Sequence, residues 1–571
     1  MKEILIINLT RMGDLLQTTP LMAGLKAKHP DSNITLLVRS DFSEVCKGIP
    51  YIDDLIKFDI KGYCKTLKEG SNSLIGNYKV LDSLVNNINQ KEYDLAVNIT
   101  HSRISAILVS LLKAKEVSGF TISPEGHRVI RHPWVRYFFN VIPNRDYNPF
   151  HIVDMYLKVG DVKPVTRGLV YNVSDEDKLK ARKVLEQEGV HQNELLVGFH
   201  LGASNDDKTW PVTSYAELAD MIHITFGARI LVFGTPGEAP LAKEFEKIAK
   251  TKAVNLIGKT DIGVLAAVLK KCTLFISNDT GPLHVATSAG TKVIDISMAN
   301  VHFMETGPYG EGHYVIQADL ACSPCGFDVK CNNRVCKSLV TPENVFEVTE
   351  MAMNGKNGGN NFDLSKMKQV QVYRSYFKDD GYLDFIPLIK RSFDVTALYR
   401  LIYRHVMNMD VKKINSKSEL IGEGIFNEIS GFYSGENLSQ CLEVLQKDVV
   451  VLDDFVCLIR AAVSRINLLV DEVRKDDPDI HKIKELWQKI EPMENEIEMT
   501  GHTHPCFRPL TLLFMYSKET LEGNDLQVLA EKSLDKYGDL LIKSENMQVI
   551  AHKLTEYMSN IMENENVAIM S

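Results

Sequence analysis

The chain has no apolar run long enough to cross a bilayer and no excess of positive charge, and each absence removes a class of function. The most apolar late stretch, 455–470, carries Arg460 and Arg465, so no membrane span is expected. With 65 Lys and Arg against 74 Asp and Glu, the net charge of −9 argues against a nucleic-acid partner beyond local basic patches. The opening residues Met1-Lys2-Glu3-Ile4-Leu5-Ile6-Ile7-Asn8-Leu9 put an acid before a short apolar run and no small-residue cleavage site after it. They read as a buried first strand and not as a secretion signal. Of ten cysteines, Cys46, Cys64, Cys272, Cys441, Cys457 and Cys506 are scattered, and without an export signal they read as reduced thiols. No internal repeat stands out. The expected location is the cytoplasm, with peripheral contact at the inner membrane left open.

What is present is alternation. At 571 residues the chain exceeds one core, and about three domains are expected. Strand-like apolar runs at 4–9, 34–38, 55–58, 95–99 and 116–120 alternate with helical patterns at 15–28 and 103–112, which predicts a mostly parallel sheet covered by helices. Residues 123–149, rich in Arg, His, aromatics and Pro, read as irregular loop plus a short helix. Alternation restarts with strands at 195–200, 229–234, 255–257, 274–277 and 292–296 and helices at 215–226 and 239–249, so a second doubly wound unit is expected, joined through 176–187. Two such units facing each other hold ligand at the carboxyl ends of their strands. Gly and Asn dominate 353–361, the clearest linker.

Beyond the linker the pattern turns helical, without obvious strands. Leu452, Val456, Ile459, Val463, Ile466, Val470 and Val473 form one apolar stripe, and Met547, Ile550, Leu554, Tyr557 and Ile561 another. An internal bundle core explains both stripes; docking of a protein partner is the alternative. The expected division is therefore two Rossmann-like domains, at 1–172 and 173–352, a linker at 353–365 and a helical extension at 366–571. The fold class is α/β, two doubly wound domains facing a cleft, plus an all-helical C-terminal domain.

Three strand-to-helix junctions carry chemistry. Gly202-Ala203-Ser204-Asn205-Asp206-Asp207-Lys208-Thr209-Trp210-Pro211 offers free amides, a hydroxyl and one cation to a phosphate. Gly202, Ser204 and Lys208 are its candidate ligands, with Lys208 a point charge for a diphosphate leaving group. Asp279-Thr280-Gly281-Pro282-Leu283-His284 is a well-capped helix start on the same sheet edge, with His284 one turn in. A capped helix alone also explains it, and a lone histidine there is more often structural. Arg11-Met12-Gly13-Asp14 places a carboxylate in the first turn after the first strand. Asp14 reads either as a helix cap or as a general base, kept ionised by helix-end amides at some cost in basicity. Phosphate grip in one domain and an acid in the other suits a group-transfer enzyme.

Cys322, Cys325, Cys331 and Cys336 put four thiols within fifteen residues, spaced C-x2-C-x5-C-x4-C. A structural Zn²⁺ on four thiolates is the simplest reading; an iron centre, a redox pair or four reduced thiols packing a loop are the alternatives. Arg11, Arg103, Arg128 and Arg131 are candidate acceptor-side cations should the acceptor carry phosphate or carboxylate; solvated loops are the default.

Together these residues resemble the heptosyltransferase family (glycosyltransferase family 9), bacterial enzymes typified by the ADP-heptose:lipopolysaccharide heptosyltransferases. The resemblance rests on Gly13-Asp14-x4-Thr19-Pro20, Gly202-Ala203-Ser204-x3-Lys208-x-Trp210-Pro211 and Asp279-Thr280-Gly281-Pro282-x-His284, in that order, over about residues 1–350. Cys322-x2-Cys325 with Cys336 and Thr341-Pro342-Glu343 is similar to the cysteine-containing ending of many members. The resemblance implies a GT-B fold and inverting transfer of a sugar, heptose first among candidates. The donor would be a nucleotide-diphospho-sugar, ADP-linked, the acceptor a hydroxyl of a lipopolysaccharide-core-like glycan, and no metal would be obligatory in the chemistry. It further implies that Asp14 deprotonates the acceptor, that Ser204, Lys208, Thr280 and Gly281 bind the donor diphosphate, and that Asp279 and His284 sit at the donor. It leaves the helical extension unexplained. A nucleotide-sugar epimerase on a similar scaffold, and a non-catalytic nucleotide-sugar-binding scaffold that recruits a partner through its helices, are the competing readings.

Overall fold

The computed structural model describes residues 1–68, 74–354, 367–392, 394–408, 423–434, 437–523 and 525–570. The linker expected at 353–365 falls mostly outside them. The described chain forms two compact units, one of residues 1–118 and 150–389, the other of 119–149 and 390–571.

The first unit holds two sheets. Strands β1 (Glu3–Asn8), β2 (Asn33–Arg39), β3 (Asp54–Phe58), β4 (Tyr93–Asn98) and β5 (Ala114–Ile122) lie in the order β3-β2-β1-β4-β5. β1 pairs in parallel with β2 and β4. Ile4, Leu5, Ile6 and Ile7 are all buried, as a central parallel strand covered on both faces requires. The one helix expected over 15–28 is two, Met12–Gln17 and Thr19–Lys28. Pro20 cannot donate into the ladder, and the Thr18 hydroxyl takes the Asp14 carbonyl at 2.7 Å, so the ladder breaks at Thr18.

The second sheet contains β7 (Leu196–His200), β8 (Arg229–Phe233), β9 (Val254–Asn255), β10 (Leu274–Asn278), β11 (Val293–Ser297), β12 (Tyr314–Ala318), β13 (Val370–Phe377) and β14 (Leu383–Pro387), numbered after β6 (Arg128–Arg131) of the second unit. Its order is β14-β13-β12-β11-β10-β7-β8-β9. The last two strands correct the expectation that 366 opens an all-helical extension. Val370 and Val372 alternate with Gln371 and pair antiparallel with β12, and Met367, Val370 and Val372 enter the core of the second sheet. The alternation is too short to stand out beside a Gly-rich linker. A chain ending after residue 352 therefore strips two strands and bares the β12 edge, and is expected to aggregate on expression. Size-exclusion chromatography checks this; a monomeric, cooperatively melting product would contradict it.

In the second unit the helices Leu438–Val473, Ile480–Thr503, Arg508–Glu519 and Leu526–Met570 dominate. The two apolar stripes lie in its interior: Leu452, Val456, Ile459 and Ile466 are fully buried, as are Met547, Ile550 and Leu554. The bundle-core reading of the stripes holds. Residues 123–149, expected as irregular loop plus a short helix, contain a strand as well: β6 pairs antiparallel with Gly119–Ile122 of β5, and the helix Pro133–Val141 follows. This segment is tied to the helices by Asn140, whose amide donates to the Pro509 carbonyl at 2.6 Å, and by Arg400, which donates to the Asp146 carbonyl at 2.8 Å. No helix among the described residues is long and apolar enough to cross a membrane.

Candidate active site

Asp14 sits two residues into the helix that follows β1, its Oδ2 accepting the Arg11 amide at 3.1 Å. The turn is fixed from below by buried Asn8, whose amide donates to the Asp14 carbonyl at 3.2 Å and to Thr18 Oγ1 at 2.8 Å. Helix-end amides were expected to hold Asp14 down. Burial instead outweighs the Arg11 amide and the Thr10 hydroxyl, and the carboxyl is raised above its ordinary value. The sign favours a base, since a higher pKa gives a stronger proton acceptor.

Gly13 permits the approach of the two Rossmann-like halves. A Cβ at 13 would lie 2.7 Å from Cδ2 of His284, and one at Gly281 would lie 2.5 Å from Cε of Met12. The helices Met12–Gln17 and Gly281–Ser288 thus abut through two glycines. Gly13→Ala is expected to lower turnover by about a hundredfold through displacement of Asp14 against the donor half, read by steady-state kinetics. An unchanged rate would show that the contact is slack.

In the second sheet's half, Asn278 at the end of β10 ties the 202–210 loop to the sheet. Its amide donates to the Gly202 carbonyl at 3.1 Å and its oxygen accepts the Trp210 amide at 2.9 Å. Trp210 is buried and donates its indole N–H to the Val340 carbonyl at 2.7 Å. Asn205 Oδ1 accepts the Lys208 amide at 3.1 Å. The Lys208 ammonium makes no hydrogen bond or ion pair among the described residues, and Ser204 is exposed.

Asp279 reports what shares the site. Burial raises its carboxyl to about 6, Lys208 opposes that rise and the negative charge of Asp14 adds to it. Asp279 therefore lies within electrostatic range of both Lys208 and Asp14. His284 Nε2 lies 3.8 Å from Asp279 Oδ1, too long for a hydrogen bond, and burial lowers the imidazole to about 4. At neutral pH the contact is between a carboxylate and a neutral ring.

Four residues of the site escaped the sequence reading besides Asn8 and Asn278. His200, at the end of β7, contacts Thr280 Oγ1 through Nδ1 at 3.3 Å and Glu238 Oε1 through Nε2 at 3.2 Å. Ser277 Oγ lies 3.1 Å from the same Thr280 hydroxyl. Burial would raise Glu238, but His200 and the Thr235 amide win and bring it down to about 2. A Cβ at Gly202 would fall 1.8 Å from Glu238 Oε1, so a larger residue there must displace the carboxylate that His200 and Thr235 hold. The readable signal was the capping box Thr235-x-x-Glu238. Asp295 on β11 is fully buried with neither oxygen hydrogen-bonded among the described residues, and burial holds its carboxyl well above the ordinary range.

Of the other candidates, Arg11 touches this cluster, its amide and charge acting on Asp14. Arg11 is exposed at the start of the Asp14 helix, and Arg103 is exposed at the start of the helix Arg103–Ser110. Arg128 and Arg131 belong to the second unit, where they pair with Glu519 and Glu522, and Arg128 also covers the Tyr516 ring. Their charge is already answered within that unit, which the sequence spacing could not show. Cys322, Cys325, Cys331 and Cys336 are all unbridged, and burial together with the other three thiols raises the Cys325 thiol. Among the described residues no three His, Cys, Asp or Glu side chains stand close enough to hold a metal ion.

Residues 81–335 match the family model described as glycosyltransferase family 9 (heptosyltransferase). That segment includes Lys208 and Asp279, and Asp14 lies ahead of it. The chain is 26% identical over 293 residues to lipopolysaccharide heptosyltransferase 3 of Escherichia coli, covering 51% of this chain and 82% of that protein. It is 25% identical over 346 residues to lipooligosaccharide heptosyltransferase 2 of Campylobacter jejuni, covering 59% of this chain and 94% of that protein. The crystal structure of the glycosyl transferase family 9 protein from Veillonella parvula aligns with a TM-score of 0.52 at 24% identity, covering 62% of this chain and 97% of that one. The two-sheet scaffold is thus of the GT-B type, and the helices of the second unit are an addition to it. With its motifs placed on that scaffold, the chain carries a glycosyltransferase family 9 (heptosyltransferase) domain over residues 81–335 and is a glycosyltransferase.

Proposed function

We propose that the protein transfers a sugar, with inversion, from an ADP-linked sugar to a hydroxyl of a lipopolysaccharide-core-like glycan, heptose being the first candidate sugar. The carrying observation is that the Asp14 helix abuts the Gly281–Ser288 helix through Gly13 and Gly281, with both Lys208 and Asp14 acting on Asp279, which supports pairing a cation for a leaving diphosphate with a raised carboxyl for an incoming hydroxyl. Inverting displacement at an anomeric carbon needs that pair: the base takes the acceptor proton as the new C–O bond forms, and the cation meets the charge that leaves with the diphosphate. Ser204 and the free amides at Thr280 and Gly281 add donors to the phosphates. His284, buried, and Asp279, partly buried beside it, are the side chains proposed to meet the donor sugar. The names of the heptosyltransferase relatives support the sugar and the acceptor class.

Calorimetric titration with ADP, UDP, GDP and CMP tests the donor. Selective ADP binding supports the reading, a preference for UDP or GDP removes heptose, and no binding to any of them removes the transferase site. The four thiols of the cysteine loop suit a structural Zn²⁺ or iron by donor type, and we propose such a site outside the chemistry. Metal analysis of purified protein is expected to give about one equivalent, lost in Cys322→Ser with Cys325→Ser; a metal-free wild type would leave four reduced thiols.

A further inference from the structure

Lys208 follows two carboxylates, Asp206 and Asp207, whose charge outweighs its own. A loop of that sign repels the diphosphate it is proposed to hold. The cysteine loop supplies the correction. The Arg334 guanidinium spans both acids, one nitrogen on Asp206 Oδ2 and the other 2.7 Å from Asp207 Oδ1. Lys337 Nζ donates to the Asp206 backbone carbonyl at 2.5 Å and lies 3.4 Å from Thr209 Oγ1. With these two cations the loop around Lys208 changes from net negative to net positive.

The contacts fix shape as well as charge. The turn that presents Lys208 is closed by the Thr209 amide on the Asp206 carbonyl at 3.1 Å, the same carbonyl that Lys337 grips. Arg334 is anchored in turn, its amide pointing to Cys331 Sγ at 3.3 Å. Trp210, where the loop ends, is held by Val340 from the same segment. A single exposed ion pair contributes little. A planar guanidinium bridging two successive carboxylates, with a second cation on the carbonyl beside them, restricts the turn far more. Lys337, then Arg334, hold the Asp206 carboxyl below its ordinary value, in keeping with that arrangement.

We propose that Arg334 and Lys337 of the cysteine loop are positioning residues for donor binding, bracing the 202–210 loop and setting the place and field of Lys208. This rests on the reading of Lys208 as the cation that meets the diphosphate.

The test compares wild type with Arg334→Ala, Arg334→Lys and Lys337→Ala. Arg334→Ala is expected to raise the Kd for ADP and the KM for donor by about tenfold or more, with kcat at saturating donor nearly unchanged. Arg334→Lys is expected to recover part of the loss, because one ammonium can answer only one of the two acids at a time. Amide hydrogen exchange supplies a readout that needs no ligand: the 205–210 amides should exchange faster in Arg334→Ala, while β10 stays protected. If Arg334→Ala fails to fold, Asp206→Asn cuts the same contact from the other side and should also speed exchange at 205–210. Unchanged exchange, or faster exchange with unchanged ADP affinity, overturns the proposal. Should wild type bind no nucleoside diphosphate at all, the transferase reading falls by itself. Exchange then still decides whether the brace exists: faster exchange keeps it as a structural clamp and unchanged exchange removes it.

Discussion

Asp14→Asn is expected to lower turnover by about 10²–10⁴-fold while ADP affinity stays within error of wild type. The amide keeps the volume, and its oxygen can still accept the Arg11 amide that orients the side chain. What is lost is the ability to take a proton. The pH profile gives an independent check. Burial raises Asp14 above its ordinary value, so its ionised fraction, and with it kcat/KM, falls as pH drops through that raised value. Asp279, raised by burial to about 6 with help from the charge of Asp14, also contributes to the acid limb. In Asp14→Asn the part of the limb due to Asp14 disappears, and the part due to Asp279 moves to lower pH. A variant that turns over at the wild-type rate would remove Asp14 as the base.

The parts of this site that were legible in the sequence are those in which local rules decide the outcome. Pro282 after Thr280 and Gly281 marks a helix start whatever surrounds it. Gly13-Asp14 directly after an apolar strand places the acid at a strand end. The direction of the Asp14 shift was not legible, because it depends on how much protein from the other half covers the carboxyl, and spacing carries no burial. His200 was passed over for the same reason: it closes a strand, and only the packed structure shows Thr280 on one ring nitrogen and Glu238 on the other. Residues 128 and 131 fail in the opposite way. Their basic character was plain, but the acids that answer them lie almost four hundred residues away in sequence, as the separation of 391 between Arg128 and Glu519 shows. In the helical unit the 3.6-residue stripes were enough, since long amphipathic helices bury the same face in any bundle. The β13–β14 hairpin was lost because an eight-residue and a five-residue strand give a period-two signal too short to read against the helices that follow.

Lys208→Ala is expected to weaken ADP binding by about thirtyfold or more, the equivalent of about 2 kcal/mol or above for loss of one partner in a desolvated charge pair. Thermal stability should hardly move, because the ammonium makes no hydrogen bond or ion pair among the described residues. That separation distinguishes a ligand-binding lysine from a structural one. The loss should also depend on pH in a defined sense. Lys208 opposes the burial that raises Asp279 and Asp295, so without it both carboxyls rise further. At neutral pH Asp279 then carries a proton for part of the time, and the donor site loses the carboxylate as well as the cation. Raising the pH through the new, higher value returns the Asp279 charge but cannot return Lys208. The catalytic defect should therefore shrink from pH 6 to pH 8 while the defect in ADP affinity persists or grows, since a restored carboxylate repels the diphosphate. Lys208→Arg keeps the charge but presents it as a broad planar fork, so it is expected to restore the pH profile more fully than the affinity. If Lys208→Ala instead leaves ADP affinity intact and lowers the melting temperature, the lysine holds the loop and the diphosphate must be met by the amides of the Gly281–Ser288 helix.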